Sequence, residues 1–435
     1  MLTQSIESKF NAARLAQPAW REKSLRERAD CIRRFRELLV RDSEILANLL
    51  TSEMGKPITQ SRNELKGTLG RIDYFLQTVE ATLAPECVYS EAGLDEIISY
   101  EPLGVIANIS AWNYPYFVGC NVFIPALLCG NAVLYKPSEI TSRTGLAIEE
   151  RLIEAGVPSE VFACVSGDGS EGASLIEQPV DGIFFTGSFK TGKRIAETIA
   201  GRMIRVQMEL GGKDPVYVCE DVDLESTVAS VADGAFYNAG QSCCSVERIY
   251  VHESIYEAFI RLFKETVGGF VMGDPFDEKT YIGPLARPAQ IPFLQNQIAD
   301  AVSKGGRLIL GGLSAGSGYF QPTVIADAHS RMAIMREETF GPMIGIQKVS
   351  GDAEALSLMN DTEYGLTAGV YTRDRERARK LLDQVNSGTG YWNCCDRVSP
   401  SLPWSGRKNS GIGSTLSRIG ILAFAQPKAF HMRGP

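Results

Sequence analysis

The sequence predicts an α/β fold: two parallel-sheet α/β units with a small appended sheet. Three observations predict it. From 103 to 210, short apolar runs alternate with longer helical patterns, and such alternation implies right-handed crossovers and a parallel sheet. After Gly211-Gly212 the same alternation begins again. Two strand-like segments, EIISY at 96–100 and the tail ILAFAQPKAFHMR at 421–433, belong to neither unit. An apolar terminal strand needs a sheet edge to pair with. The expected division is therefore 1–83 with 103–210, then 211–415, then 84–102 with 416–435. At 435 residues the chain exceeds one ordinary core.

The elements follow in order. Residues 1–83 read as helices. SLRE at 24–27 is a capping box, and Ile32, Phe35, Leu38 and Leu39 follow at helical spacing. A second helix spans 42–54 and stops at Gly55-Lys56-Pro57; a third spans 58–83 and ends before Pro85. All three read as scaffold. The first unit has strands at 105–109, 132–135, 161–165, 182–185 and 203–210. Helices lie between them at 116–128, 141–155, a short stretch after 165, and 191–200. In the second unit, strands are expected at 216–219, 248–251, 368–371 and 390–393, with helices at 223–238 and 255–267. The glycine-rich stretch 308–320 reads as a loop or hairpin.

Composition narrows the function. A net charge of −8 speaks against a nucleic-acid groove, which calls for a basic face. The N-terminus, MLTQSIESKF, lacks a basic-then-apolar signal pattern. The ten cysteines show no C-x-x-C spacing, so reduced thiols in a cytoplasm are expected. The three histidines, His252, His329 and His431, are scattered, so no metal is expected. The uncharged stretch 102–135 is long enough for a membrane span. Its four asparagines, three prolines and glycines fit strand, loop, buried helix and strand instead.

Three stretches carry chemistry. FYNAGQSCCS (236–245) places Cys243 and Cys244 after a Gly-Gln turn; such thiols are either core filling or a thiolate nucleophile. Glu209 in MELGG and Asn113 in AWNYP are the groups that favour the second reading. FFTGSFKTGKR (184–194) is a strand, a glycine loop and a helix start, an arrangement that cradles phosphates. It almost spells the nucleoside-triphosphate loop, but Arg194 stands where the Mg²⁺-binding hydroxyl is required. A P-loop phosphotransferase and a dinucleotide enzyme both remain open on this motif. In LYKPSE, Lys136 and Glu139 follow a predicted strand, where an acidic group hydrogen-bonds a ribose 2′-OH and favours NAD over NADP; a solvated loop is the alternative.

Together these residues resemble the aldehyde dehydrogenase superfamily. AWNYP, KPSE, FFTGSFKTG, MELGGKDP, FYNAGQSCCS, EETFGP (337–342) and LPWSGRKNSGIG (402–413) arrive in family order across nearly the whole chain. The resemblance implies a dinucleotide-binding domain, a catalytic domain and an oligomerisation sheet, in a homodimer or homotetramer. It implies NAD(P)-dependent oxidation of an aldehyde to an acid, with Cys243 as nucleophile. Asn113 and the Cys243 N–H would hold the oxyanion, and Glu209 would activate water. It assigns Lys136 and Glu139 to the adenosine ribose, and Gly187 and Ser188 to the pyrophosphate. Glu338 and Phe340 fall to the nicotinamide ribose, and Trp112 lies beside the cofactor path. Acyl transfer to coenzyme A and a non-catalytic relative are the alternatives within the resemblance.

Three departures accompany it. Relatives begin tens of residues earlier, so the first strands of the cofactor domain are expected to be missing or supplied otherwise. Ala111 stands where Pro is common. Asn121 stands where oxidisers of succinic semialdehyde carry Arg, leaving Arg397 as either a substitute cation or a rim charge. Val118, Asn121, Ser242, Cys244 and the 396–399 loop are expected to line a tunnel for a semialdehyde or medium-sized apolar aldehyde.

Overall fold

The computed structural model describes residues 5–434. Four helices open the chain, Ile6–Glu22, Leu25–Arg41, Ser43–Met54 and Ile58–Leu83. The capping box is present: the Ser24 hydroxyl accepts from the Glu27 N–H, and the Glu27 carboxylate accepts from the Ser24 N–H. That reciprocal pairing satisfies two otherwise orphaned N–H groups and sets the helix start. Ile32, Phe35 and Leu39 are buried on one face of this helix, as their spacing requires.

The first sheet has six strands. Val105–Ile109 lies at its middle, with Ala132–Lys136 and Phe162–Cys164 to one side. Gly182–Thr186 and Arg205–Glu209 lie to the other. These five strands are parallel. Gly411–Ile412 returns from late in the chain to pair antiparallel with Met208 and Glu209. The uncharged stretch is strand, buried helix Pro115–Cys129, and strand. No helix among the described residues is long and apolar enough to cross a membrane.

The second sheet has seven strands: Arg307–Leu310, Thr323–Ala326, Met343–Val349, Val246–His252, Asp214–Val218, Thr367–Tyr371 and Thr389–Trp392. All neighbours run parallel except Arg307–Leu310 at the edge. The glycine-rich stretch supplies that edge strand and then a hairpin of Ser314–Gly316 with Tyr319–Phe320.

The third sheet joins Glu86–Glu91, Leu94–Pro102 and Ala425–Arg433, all antiparallel. In this third sheet two details differ from the expectation; elsewhere the helix Ile6–Glu22 and the strands Thr323–Ala326 and Met343–Val349 are additions to it. Residues 421–422 are not strand but close a helix, Ser417–Leu422. Ile421 and Phe424 are spaced three apart and both buried, Phe424 stacking on Phe184 at 4.3 Å, a helical rather than an alternating pattern. The strand Glu86–Glu91 is unannounced because its residues are exposed throughout, so no apolar alternation marks it.

Candidate active site

The two sheets meet end to end. Arg205–Glu209 finishes the first sheet and Asp214–Val218 starts the second, with only residues 210–213 between them. The carboxyl ends of the first sheet's strands therefore face the amino ends of the second sheet's strands. Between them lies a cleft of about 640 Å³, a size usual for a small-molecule site. In the first sheet the strand order reverses between Val105–Ile109 and Gly182–Thr186, and ligands bind parallel sheets at such a switch point. Trp112, Asn113, Lys136, Glu139, Gly187, Ser188 and Glu209 line the cleft from this side, with Val118 on the following helix. Cys243, Glu338 and Phe340 line it from the other.

Cys243 sits in the loop between a short helical turn, Tyr237–Gly240, and the strand Val246–His252, so no helix starts at the thiol. The loop is held instead by its own turns. Asn238 and Ala239 have φ of 55° and 54°, a left-handed conformation uncommon for side-chain-bearing residues. Hydrogen bonds over-determine it. The Asn238 N–H donates to Gln60 Oε1 (3.0 Å), and Asn238 Nδ2 donates to the Asn113 and Gln241 carbonyls (3.2 and 3.1 Å). Gly240 has φ of 68°, and a Cβ there would lie 2.2 Å from the Gly341 carbonyl oxygen, so only glycine fits. Strain maintained this way is a feature of functional loops. It leaves Cys243 partly open while Cys244 is buried.

Asn113 is fixed from three sides. Its Nδ2 donates to the Gln241 carbonyl at 3.1 Å, and its own carbonyl accepts from Lys56 Nζ at 2.8 Å. An amide nitrogen has two hydrogens, so one remains for a ligand. Lys56 forms a fully buried ion pair with Glu64, whose Oε1 accepts from the Tyr116 N–H (2.9 Å) at the start of the helix Pro115–Cys129. A carboxylate there complements the positive end of the helix. A second buried pair, Lys213 with Glu247, serves the opposite wall. Glu247 accepts from the Thr339 and Phe340 N–H groups, and Lys213 Nζ donates to Thr339 Oγ1 at 2.9 Å. This holds Phe340, itself at φ 47°, edge-on to Trp112 with ring centroids 5.5 Å apart.

Glu209 is 5 % exposed and incompletely satisfied. Its Oε1 accepts from Gln207 Nε2 at 2.9 Å and from Thr415 Oγ1 at 3.5 Å. Its Oε2 is buried with no hydrogen-bond partner among the described residues. Burial first, and then the neighbouring Cys243, hold this carboxyl well above the usual carboxylate range. Glu338 is pushed up to about 7, by burial and then by Glu247. Its Oε1 accepts from the Gly212 N–H at 3.1 Å, and a Cβ on Gly211 would lie 2.4 Å from the carboxylate.

The remainder of the cleft suits a dinucleotide. Ser188 caps the helix Phe189–Ile199, its hydroxyl accepting from the Thr191 N–H, and the helix start carries partial positive charge for a pyrophosphate. Lys136 Nζ donates to the Pro137 and Gly167 carbonyls at 2.9 and 2.8 Å, which leaves its third hydrogen. Burial pulls its ammonium below the ordinary value. Glu139 is exposed beside it on the cleft wall. Arg194, the residue that disfavours a Mg²⁺–triphosphate loop, also lines the cleft.

The substrate-side residues divide. Val118 lines the cleft, but Asn121, Ser242, Cys244 and Arg397 do not. Asn121 Oδ1 accepts from Arg71 Nη1 at 2.9 Å. Cys244 Sγ donates to Asp396 Oδ1 at 2.9 Å, and Ser242 Oγ reaches the same oxygen at 3.3 Å. Burial pushes Asp396 up to about 7. Contact with the Cys243 side chain, and then burial, push the Cys244 thiol well above its ordinary value. Arg397 is exposed, which is the rim position. Sequence reasoning overlooked Lys56, Glu64, Arg71, Lys213 and Glu247; charged residues inside an apolar helical face or beside a motif were the available signal.

The aldehyde dehydrogenase family model matches residues 3–430. A betaine aldehyde dehydrogenase from Cereibacter sphaeroides is 37% identical over 98% of this chain and 89% of its own length. The solved structure of an NADP-dependent enzyme from E. coli superposes with a TM-score of 0.96 at 32% identity, covering 99% of this chain and 90% of that one. An NAD-dependent aldehyde dehydrogenase from Sinorhizobium meliloti gives a TM-score of 0.95 at 33% identity, covering 98% and 86%. With a family match over almost its entire length, the chain belongs to the aldehyde dehydrogenase family and is an oxidoreductase.

Proposed function

We propose that the protein oxidises an aldehyde to a carboxylic acid with NAD(P) as the oxidant, through a thioester on Cys243. The observation that supports this reading is convergence: a partly open thiol, a spare amide hydrogen and an unsatisfied buried carboxyl line one cleft with a phosphate-type helix start. The Cys243 thiolate attacks the aldehyde carbon and forms a C–S bond. The second hydrogen of Asn113 Nδ2 and the Cys243 N–H donate to the oxygen as it becomes negative. The nicotinamide, when bound, supplies the hydride acceptor. The C=O bond re-forms as a thioester. Glu209 then takes a proton from water through Oε2, the water attacks the acyl carbon, and the thiolate leaves. A high proton affinity, raised by burial and by Cys243, suits Glu209 to that role.

Lys136 and Glu139 would hold the adenosine ribose, Gly187 and Ser188 the pyrophosphate, and Glu338 and Phe340 the nicotinamide ribose beside Trp112. Glu139 favours NAD over NADP by repelling a 2′-phosphate. The three-stranded sheet, exposed along most of Ala425–Arg433, supports a homodimer or homotetramer assembled through it.

The test is NADH formation from a panel of aldehydes: betaine aldehyde, medium-sized apolar aldehydes and semialdehydes. Turnover with at least one, giving free acid and no acyl-CoA when coenzyme A is added, is the expected result. NAD binding without NADH from any aldehyde would overturn it.

A further inference from the structure

The helix Ile58–Leu83 carries a charge that the reaction above does not use. Arg71 is 5 % exposed, yet its guanidinium makes one hydrogen bond to a described residue, from Nη1 to Asn121 Oδ1 at 2.9 Å. A guanidinium has five N–H donors, and a buried cation without an anion is costly. The carboxylate nearest along this helix face is Glu64, and it is committed to Lys56 and to the N–H of Tyr116. Arg71 therefore lacks the counter-ion that Lys56 and Lys213 possess.

Its surroundings face the thiols. The guanidinium stacks over Phe117, 3.8 Å from the ring centroid, and Phe117 stacks on Tyr114 at 5.7 Å. Gly67, one turn before Arg71, leaves room for that ring: a Cβ there would lie 2.7 Å from Phe117 Cζ. Val118 and Asn121 lie three apart on one face of the helix Pro115–Cys129, and Val118 and Tyr114, which precedes the helix, line the cleft. Burial pulls Arg71 down to about 10, while Cys120, Glu64, Cys244 and Cys243 favour its charge; it remains a cation at neutral pH. Because a guanidinium only donates, Asn121 must present its oxygen to Arg71, which leaves the amide nitrogen as a further donor.

We infer that Arg71, assisted by the Asn121 amide, is the anchor for a carboxylate at the far end of the substrate, so that this enzyme's substrates are aldehydes bearing a distal carboxylate. The planar fork of a guanidinium matches a carboxylate with two parallel hydrogen bonds. A quaternary ammonium, as in betaine aldehyde, would meet a like charge there. The inference rests on the aldehyde-oxidation reading and gives it a substrate class.

The test compares kcat/KM for 4-oxobutanoate and butanal, which have the same chain length. In the wild-type enzyme 4-oxobutanoate is expected to be favoured by about 10- to 150-fold, the range of a charge-assisted hydrogen bond. In Arg71→Met the ratio of the two kcat/KM values should collapse towards one, and in Arg71→Lys it should be intermediate. A wild-type ratio near one, or a ratio that Arg71→Met leaves unmoved, overturns the inference while leaving aldehyde oxidation standing. Oxidation of neither compound, nor of any other aldehyde, overturns the underlying reading and this inference with it. The wild-type comparison decides the matter even where the Met variant does not fold.

Discussion

Two kinds of buried charge sit within the same site, and the difference between them separates scaffold from chemistry. Lys56–Glu64 and Lys213–Glu247 are paired, and their further hydrogen bonds go to the Asn113 carbonyl, the Tyr116 N–H, the Thr339 and Phe340 N–H groups and the Thr339 hydroxyl. Glu209 and Arg71 are as deeply buried but only partly satisfied. A satisfied charge fixes geometry and a half-satisfied one holds capacity for a ligand. Each pair braces one wall of the cleft, Glu209 lines it, and Arg71 packs over Phe117 without a counter-ion.

The largest expected effect concerns the thiols. Cys243→Ala should abolish turnover, a loss on the order of 10⁴-fold or more, while Cys244→Ala retains it; steady-state NADH formation separates them. Glu209→Gln comes next. Turnover should fall by about 10²- to 10⁴-fold, with a first-turnover burst of NADH and a thioester detectable as added mass on Cys243. In the wild-type enzyme, hydrolysis should strengthen as pH rises through the raised pKa of Glu209, since only the ionised form takes a proton. The linked stability has the opposite sign. A carboxyl whose folded pKa is raised contributes stability at low pH that is lost as pH rises through that pKa. Glu209→Gln should therefore raise Tm, and the gain should grow with pH.

Breaking one braced pair should cost stability first and activity second. Lys56→Met leaves Glu64 buried and uncompensated, a loss of about 3–5 kcal/mol, visible as a lowered Tm. The double change Lys56→Met with Glu64→Leu should cost less than Lys56→Met alone. An equal or greater cost would mean that the pair holds the site together by more than mutual compensation. The smallest effect is expected at Glu139, which is exposed. Glu139→Ser should move the NADP-to-NAD preference about tenfold toward NADP, a shift of roughly 1.4 kcal/mol, read from kcat/KM for each cofactor.

Much of this was legible in the chain, for a definable reason. The strands around 105–109, 132–136 and 182–186 announce themselves through local apolar runs, and the cleft residues that follow them lie within motifs a few residues long. Cys243, Glu209 and Asn113 were separable from core thiols and surface acids because each lies in such a motif. Arg71 was not. It occurs on a helix whose spacing reads as scaffold, and what makes it unusual is burial without a counter-ion among the described residues, a property only three-dimensional packing defines. The same holds for Lys56 with Asn113, 57 residues apart, and Lys213 with Glu247, 34 residues apart. The strand Glu86–Glu91 escaped because an exposed edge has no hydrophobic period to read.

The short join at residues 210–213 has a mechanical consequence. Glu209 ends one sheet, whereas Cys243 and Glu338 enter strands of the other. Any rotation of one sheet against the other about this joint would alter the gap between Glu209 and Cys243, and would also pull on Gly411–Ile412, which pairs with Met208 and Glu209. The close packing of Gly211 against the Glu338 carboxylate limits how far such a rotation can go.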